Sequence, residues 1–203
     1  MFPPRIACLD LDTFFVSVER LLDPSLIGKP VVVGAAPGHR GVVTSASYEV
    51  RPLGVRSGMS VTDARKLAPH AIYLPTRHGV YSGYSKQVRA VIEDTTPAVQ
   101  AASIDEFFLD LRGCERLYAR PGDDGPTAGI VRAVRELREA VQARVGLPCS
   151  IGLAPCRPLA KIASGLAKPA GVWVVPEGGE LAFVEPLPVR KWPGIGPRTE
   201  ERL

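Results

Sequence analysis

Val99-Gln100-Ala101-Ala102-Ser103-Ile104-Asp105-Glu106-Phe107-Phe108-Leu109-Asp110-Leu111 is the stretch whose reading decides the fold. Two apolar runs, 99–104 and 107–111, flank an acidic pair. The pattern predicts the two strands of a hairpin, with Asp105-Glu106 at their junction. Upstream, His78 to about Thr95 has helical spacing, with Val80, Tyr84, Val88, Val91 and Ile92 on one face. Downstream, a Pro/Gly/Asp-rich loop from Arg120 to Pro126 leads to a second helix that Thr127 caps or opens. Its stripe is Ile130, Val134, Leu137, Val141 and Val145, at spacings of three and four. Cys149 to Ala154 follows as a strand. Far upstream, Arg5 to Asp10 (RIACLD) is an apolar strand ending in an acid.

In chain order these elements read β (5–11), helix (78–95), two strands (99–111), helix (127–145), β (149–154). This is the βαββαβ order of an α+β, ferredoxin-like sheet. The stretch 13–76 is an insertion with elements of its own. Thr13 to Leu22 (TFFVSVERLL) reads as a helix stopped by Asp23-Pro24. Pro30 to Gly34 and Gly41 to Ser45 read as strands joined by a turn over AAPGHR, and Ser60 to Leu67 as a short helix. Pro75 marks a boundary. After the sheet, Pro158 to Ala167 predicts a helix ended by Lys168-Pro169-Ala170-Gly171, and Val172 to Val175 a last strand. There are no internal repeats or low-complexity segments.

The placing of the acids carries the chemistry. Asp10 and Asp12 end the first strand, and Asp105 and Glu106 lie at the junction of the next two. In a βαββαβ sheet the first and third strands are central neighbours, so these carboxylates come close in space. Gathered acids repel one another and lose solvation, and a divalent cation removes that penalty. Hard oxygen donors without Cys or His indicate Mg²⁺, with Mn²⁺ possible, rather than zinc. Two such ions roughly 3.5–4 Å apart suit an in-line phosphoryl displacement. Asp12 has a second reading, as a cap on the helix that starts at Thr13.

Bulk properties set bounds. With 203 residues and a hydrophobic fraction of 45%, the chain can bury a real core and is not disordered. The four cysteines, Cys8, Cys114, Cys149 and Cys156, form no CxxC pair, which argues against a zinc site or a disulfide framework. No apolar run is long enough for a membrane span, and Met1-Phe2-Pro3-Pro4-Arg5 has no signal-peptide pattern, so a cytoplasmic location is expected. A net charge of +4 suits a polyanionic partner without singling one out.

Five segments, in order and over essentially the whole chain, resemble the motifs of the Y-family translesion DNA polymerases, closest to the DNA polymerase IV type. Asp10-Leu11-Asp12-Thr13-Phe14-Phe15 is similar to their D-x-D-x-F-[FY], and Ser103-Ile104-Asp105-Glu106 to S-[IV]-D-E. Tyr48-Glu49-Val50-Arg51 through Gly54-Val55 and Gly58-Met59 resembles the fingers segment. Leu159 to Ser164 with Ala167 to Gly171 matches L-A-K-x-A-S…K-P-x-G, and Pro193-Gly194-Ile195-Gly196 matches the thumb's P-G-I-G. Phe107-Phe108 replaces the family's usual A-Y after S-I-D-E, an apolar exchange that leaves the acids intact.

The resemblance implies a template-directed DNA polymerase that adds deoxynucleotides to a primer, bypassing damaged template in DNA repair. It implies a palm over 1–13 and 77–168, fingers over 14–76 and a partial thumb over 169–203, with the little-finger domain absent. It assigns catalysis to Asp10, Asp105 and Glu106, and metal binding to the same side chains with the backbone carbonyl of Leu11. Nucleotide contacts fall to Phe14, Phe15, Ser45, Tyr48, Arg51 and Lys161. Phe15 is the steric gate against ribonucleotides, with Phe14 in the core behind it. Gly194, Gly196 and Arg198, in a helix-hairpin-helix turn, would meet DNA phosphate. Small fingers residues, Thr44, Ser45, Ala46 and Ser47, would leave room above the templating pair. Expected partners are primer–template DNA and deoxynucleoside triphosphates. A sliding clamp would be reached only through a C-terminal part not in this sequence. No membrane partner is expected, and the chain should be a monomer that binds DNA weakly and salt-sensitively. Two other readings stand beside this one, a non-catalytic DNA-repair accessory protein on the same fold and a nucleotide-cyclase-like enzyme. The retained acids argue against the first, and the fingers segment and P-G-I-G turn against the second.

Overall fold

The computed structural model describes residues 3–35 and 41–202. In chain order it contains β1 (Ile6–Leu11), α1 (Phe14–Leu22), β2 (Val31–Gly34), β3 (Val43–Ala46), α2 (Val61–Leu67), β4 (Ile72–Pro75) and α3 (His78–Glu93). Then follow β5 (Val99–Ala101), β6 (Glu106–Asp110), α4 (Glu115–Tyr118), α5 (Pro126–Val145), β7 (Cys149–Ala154) and α6 (Arg157–Leu166). The last elements are β8 (Val172–Val174), α7 (Glu180–Val184) and α8 (Pro197–Glu200). No helix among the described residues is long and apolar enough to cross a membrane.

The chain forms two compact units, one of Met1–Asp12 with Gln87–Leu203, the other Thr13–Lys86. The second boundary lies inside α3 rather than at Thr76, because Arg77 and Tyr81 at the start of that helix bond to Glu19 on α1. The stretch 169–203 is not separated from the first unit.

The first unit is built on a sheet of order β5-β6-β1-β7-β8, in which β1 lies between antiparallel β6 and β7. This is the expected ferredoxin-like arrangement, with the first and third sheet strands as central neighbours. Because side chains alternate along a strand, Ala7, Leu9 and Leu11 face one side and Ile6, Cys8 and Asp10 the other. On Cys8's side, Leu159, Ala160 and Ala163 of α6 close an apolar cluster with Ala154 and Val175. Gly152, opposite Cys8 in register, makes that approach possible. A Cβ there would meet the Ala160 carbonyl oxygen at 2.1 Å and the Ser164 amide at 2.3 Å. The stripe predicted on α5 is real, with Ile130, Val134, Leu137 and Val141 buried, and α5 packs on β7.

The hairpin departs from its predicted limits. The strands are Val99–Ala101 and Glu106–Asp110, so Glu106 opens β6 and only Asp105 lies in the turn. The turn closes early because the Glu106 carbonyl accepts from Ala102 N at 2.9 Å and from Ser103 N at 3.3 Å.

The second unit has its own sheet, of order β3-β2-β4. Val32, Val43, Val50, Val55 and Val61 form its core with Ala46, Ala64 and Ala68. β4 is absent from the sequence reading, which saw only a boundary at Pro75. It pairs in parallel with β2, Val31 opposite Ile72 through Gly34 opposite Pro75. As the sheet's last strand it tolerates a proline. The turn expected over AAPGHR lies, beyond Ala35, outside the described residues.

Candidate active site

The carboxylates meet where β1 ends. Asp10 and Glu106 are register partners across β1 and β6, and the Leu11 amide donates to the Asp105 carbonyl at 2.9 Å, tying the hairpin turn to the same point. Like charges placed directly opposite on neighbouring strands repel. Here each has a counter-charge. Lys168 Nζ donates to Asp10 Oδ1 at 2.5 Å, and Lys161 on α6 donates to Glu106. Asp105 Oδ1 accepts from Ser103 Oγ at 2.5 Å. Burial pushes the Asp10 carboxyl up from its ordinary range and the nearby Asp105 charge adds to the push, while Lys168 draws it back.

Thr13 is the cap residue of α1, in the left-handed region at φ 44°, with no side-chain cap bond. Asp12 is 1% exposed. Its oxygens accept from Ser150 Oγ at 3.0 and 2.9 Å and from the Ala170 amide at 2.6 Å. Lys168 Nζ lies 3.7 Å from it. Ala170 also has a positive φ of 50°, which a non-glycine residue adopts only when the surroundings hold it there. Asp12 holds it on the amide side and Arg138, donating to the Ala170 carbonyl at 2.9 Å, on the other; Lys168, which reaches Asp10, belongs to the same loop. Lys168 is the residue that reading the sequence missed. The signal was present, a lysine followed by Pro-Ala-Gly, but its target lies far away in the chain.

An all-oxygen donor set of Asp10, Asp105, Glu106 and the Leu11 carbonyl has the chemistry of a hard divalent-cation site. Among the described residues no three His, Cys, Asp or Glu side chains are gathered as a ready-made cluster. The acids are brought together by the backbone, while their oxygens are turned onto Lys168, Lys161 and Ser103.

The remaining predicted residues fall as follows. In the second unit, Phe14 is buried at 3% exposure and Phe15 is half-buried, its ring stacked on Tyr81 with centroids 4.0 Å apart and planes 11° apart. Ser45 is buried in β3. The Arg51 guanidinium lies over the Tyr48 ring, 4.6 Å from its centroid, and its Nε donates to the Ala46 carbonyl at 3.1 Å. In the first unit, Gly194 has φ +88° in the turn before α8, Ile195 N donates back to the Trp192 carbonyl at 3.0 Å, and Arg198 is exposed.

The sheet, its acid-bearing strand ends and the adjoining lysine define a polymerase palm, and the comparisons agree. The chain belongs to the impB/mucB/samB family, a Y-family polymerase domain, which it matches over residues 9–165. It is 46% identical over 194 residues to DNA polymerase IV 2 of Mesorhizobium japonicum, covering 96% of this chain and 43% of that protein. It is 45% identical over 200 residues to DNA polymerase IV of Streptomyces coelicolor, covering 98% of this chain and 40% of that one. The chain thus spans less than half the length of these curated relatives. Among solved structures, DinB from Sulfolobus solfataricus superposes with a TM-score of 0.86 at 33% identity, over 98% of this chain and 56% of that one. An insertion ternary complex of Dbh DNA polymerase gives the same TM-score, 0.86, at 31% identity.

Proposed function

We propose that this chain is the catalytic portion of a low-fidelity, template-directed DNA polymerase that adds deoxynucleotides to a primer 3′ end and copies past damaged template. The observation that carries the reading is Asp10 opposite Glu106, with Asp105 bonded to the same strand end. Y-family polymerases depend on a divalent metal. Asp10, Asp105, Glu106 and the Leu11 carbonyl would hold it, as two Mg²⁺ ions with Mn²⁺ as a substitute. When bound there, such ions supply a lowered pKa for the primer hydroxyl and neutralise charge on the reacting phosphate.

The chain's own residues do the rest. Lys161 and Lys168 are ammonium groups poised against the acids, each able to exchange its carboxylate for a phosphate oxygen. In the second unit, Arg51 and Tyr48 carry groups that suit phosphate oxygens, a guanidinium fork and a phenol. Phe15 presents a half-buried ring with no polar atom, which gives a 2′-hydroxyl neither space nor a hydrogen bond. Thr44, Ser45, Ala46 and Ser47 are too small to test base-pair shape closely. Gly194, Gly196 and Arg198 are DNA-phosphate contacts. Primer–template DNA and deoxynucleoside triphosphates are therefore the partners, in the cytoplasm.

Primer extension with Mg²⁺, comparing the unaltered chain with Asp105→Ala, tests this. The expected loss is at least about 100-fold in rate, with the circular dichroism spectrum unchanged. Extension at the same rate by Asp105→Ala would remove the polymerase reading of this site.

A further inference from the structure

The last turn of α1 carries a contact that the catalytic reading leaves unused. Arg20 sits there, and its Nη2 donates to both carboxylate oxygens of Glu49, at 2.9 Å each. The same guanidinium ties down the loop that follows the helix, from Nε to the Leu26 carbonyl at 3.2 Å and from Nη2 to the Lys29 carbonyl at 2.9 Å. The Arg20 side chain is 19% exposed and that of Glu49 34%. Glu49 lies in the turn between Tyr48 and Arg51. Behind that turn, the Ser47 amide donates to the Val31 carbonyl and the Val31 amide to Ser47 Oγ, each at 3.0 Å, and Val50 is buried in the core. Arg51 donates to the Ala46 carbonyl and lies over the Tyr48 ring. All of these residues belong to the second compact unit.

α1 packs on β2 and β3, and apolar packing is non-directional, so by itself it does not set the helix at one height. A carboxylate gripped by a guanidinium has one good geometry, and partial burial strengthens the pair over one in open water. Arg20 thus fixes the outer side of the Tyr48–Arg51 turn against α1, while Ser47 and Val50 fix its inner side. Without the outer tie the turn still folds, but the Arg51 guanidinium, stacked on Tyr48, ranges over more positions. A binding group that must be ordered on contact costs affinity. We propose that Arg20 and Glu49 are positioning residues for the incoming nucleotide, pre-setting the stacked Tyr48 and Arg51 to receive triphosphate oxygens. The inference rests on Arg51 and Tyr48 being the phosphate contacts.

The experiment is single-nucleotide insertion of a matched dNTP by the unaltered chain and by Glu49→Gln, Arg20→Met, Arg51→Ala and the double variant Glu49→Gln with Arg51→Ala, kcat and KM measured separately. Pre-setting of a binding group predicts that Glu49→Gln and Arg20→Met each raise KM about fivefold and leave kcat little changed. It also predicts that Glu49→Gln adds nothing once Arg51 is gone, because the pair acts through that guanidinium. A merely structural pair would lower the urea midpoint and cost activity equally in both backgrounds. The proposal is overturned if Arg51→Ala raises KM but Glu49→Gln and Arg20→Met do not, or if Glu49→Gln raises it as much in the Arg51→Ala chain as in the unaltered one. If Arg51→Ala leaves KM unmoved, or the unaltered chain inserts no deoxynucleotide, the phosphate-contact reading has failed and the positioning role falls with it.

Discussion

Asp12 illustrates how little a residue's neighbours in sequence say about its role. Beside Asp10 it reads as a second ligand or a helix cap. In the fold it is a buried acceptor for Ser150 and Ala170, at 2.6 to 3.0 Å. Asp12→Asn removes the charge and leaves one oxygen where two accepted, so the charge-assisted bonds from Ser150 and Ala170 are lost or weakened and Lys168 loses a nearby counter-charge. The expected outcome is a loss of about 2–3 kcal/mol in urea unfolding at pH 7. Extension should also slow, because Lys168 loses its setting. A urea midpoint unchanged by the substitution would refute this role for Asp12. The two phenylalanines were separable in the sequence only by their motif positions. Burial separates them physically, Phe14 at 3% exposure and Phe15 half-buried.

At the scale of elements, α5 shows what apolar periodicity reveals and what it hides. Its buried stripe was legible because the spacing of three and four is a property of the helix alone. Its start was read to within one residue, Thr127 against Pro126, but the cap was not, since no side chain caps it and Gly125, at φ +79°, precedes Pro126. The loop before it is held instead by Asp123, which binds the Arg132 fork and accepts from the Arg120 amide at 2.7 Å. Arg132 first, then that amide, hold the Asp123 carboxyl down to about 2, against an ordinary value of 3.8. A depressed carboxyl stabilises the fold above its unfolded pKa, and the contribution is lost as pH falls through the folded value. Asp123→Asn should therefore be less stable than the unaltered chain at pH 5 to 7. The gap should close as the pH is lowered from about 4 to about 2. Chemical denaturation across that window checks it, and a gap independent of pH would show that the pair does not titrate as described.

At the scale of the whole molecule, each of the two compact units contains a hydrophobic cluster of its own. Val32 is fully buried among the valines and alanines of the second unit. Val32→Ala removes two methyl groups there, a loss of about 2 kcal/mol. Amide hydrogen exchange should register it as reduced protection within 13–86, with the β1, β6 and β7 amides little changed. Equal loss of protection in both units would mean that the chain opens as one cooperative body. That the second unit carries its own sheet could not be read in full, because β4 is four residues long and becomes a strand only by pairing with β2.

The sequence by itself determined the order of strands and helices in the βαββαβ sheet, and hence the neighbouring of β1 and β6. Apolar periodicity is written locally, and a βαββαβ chain has few ways to fold. It also determined which acids lie at the strand ends. Only the tertiary structure decided that Glu106 belongs to the strand and Asp105 to the turn, that Lys168 answers Asp10, and that Glu19 holds Tyr81 beneath Phe15. Those pairings join residues far apart in the chain. Their energies depend on distance and on exclusion of water, neither of which is encoded in any local stretch of residues.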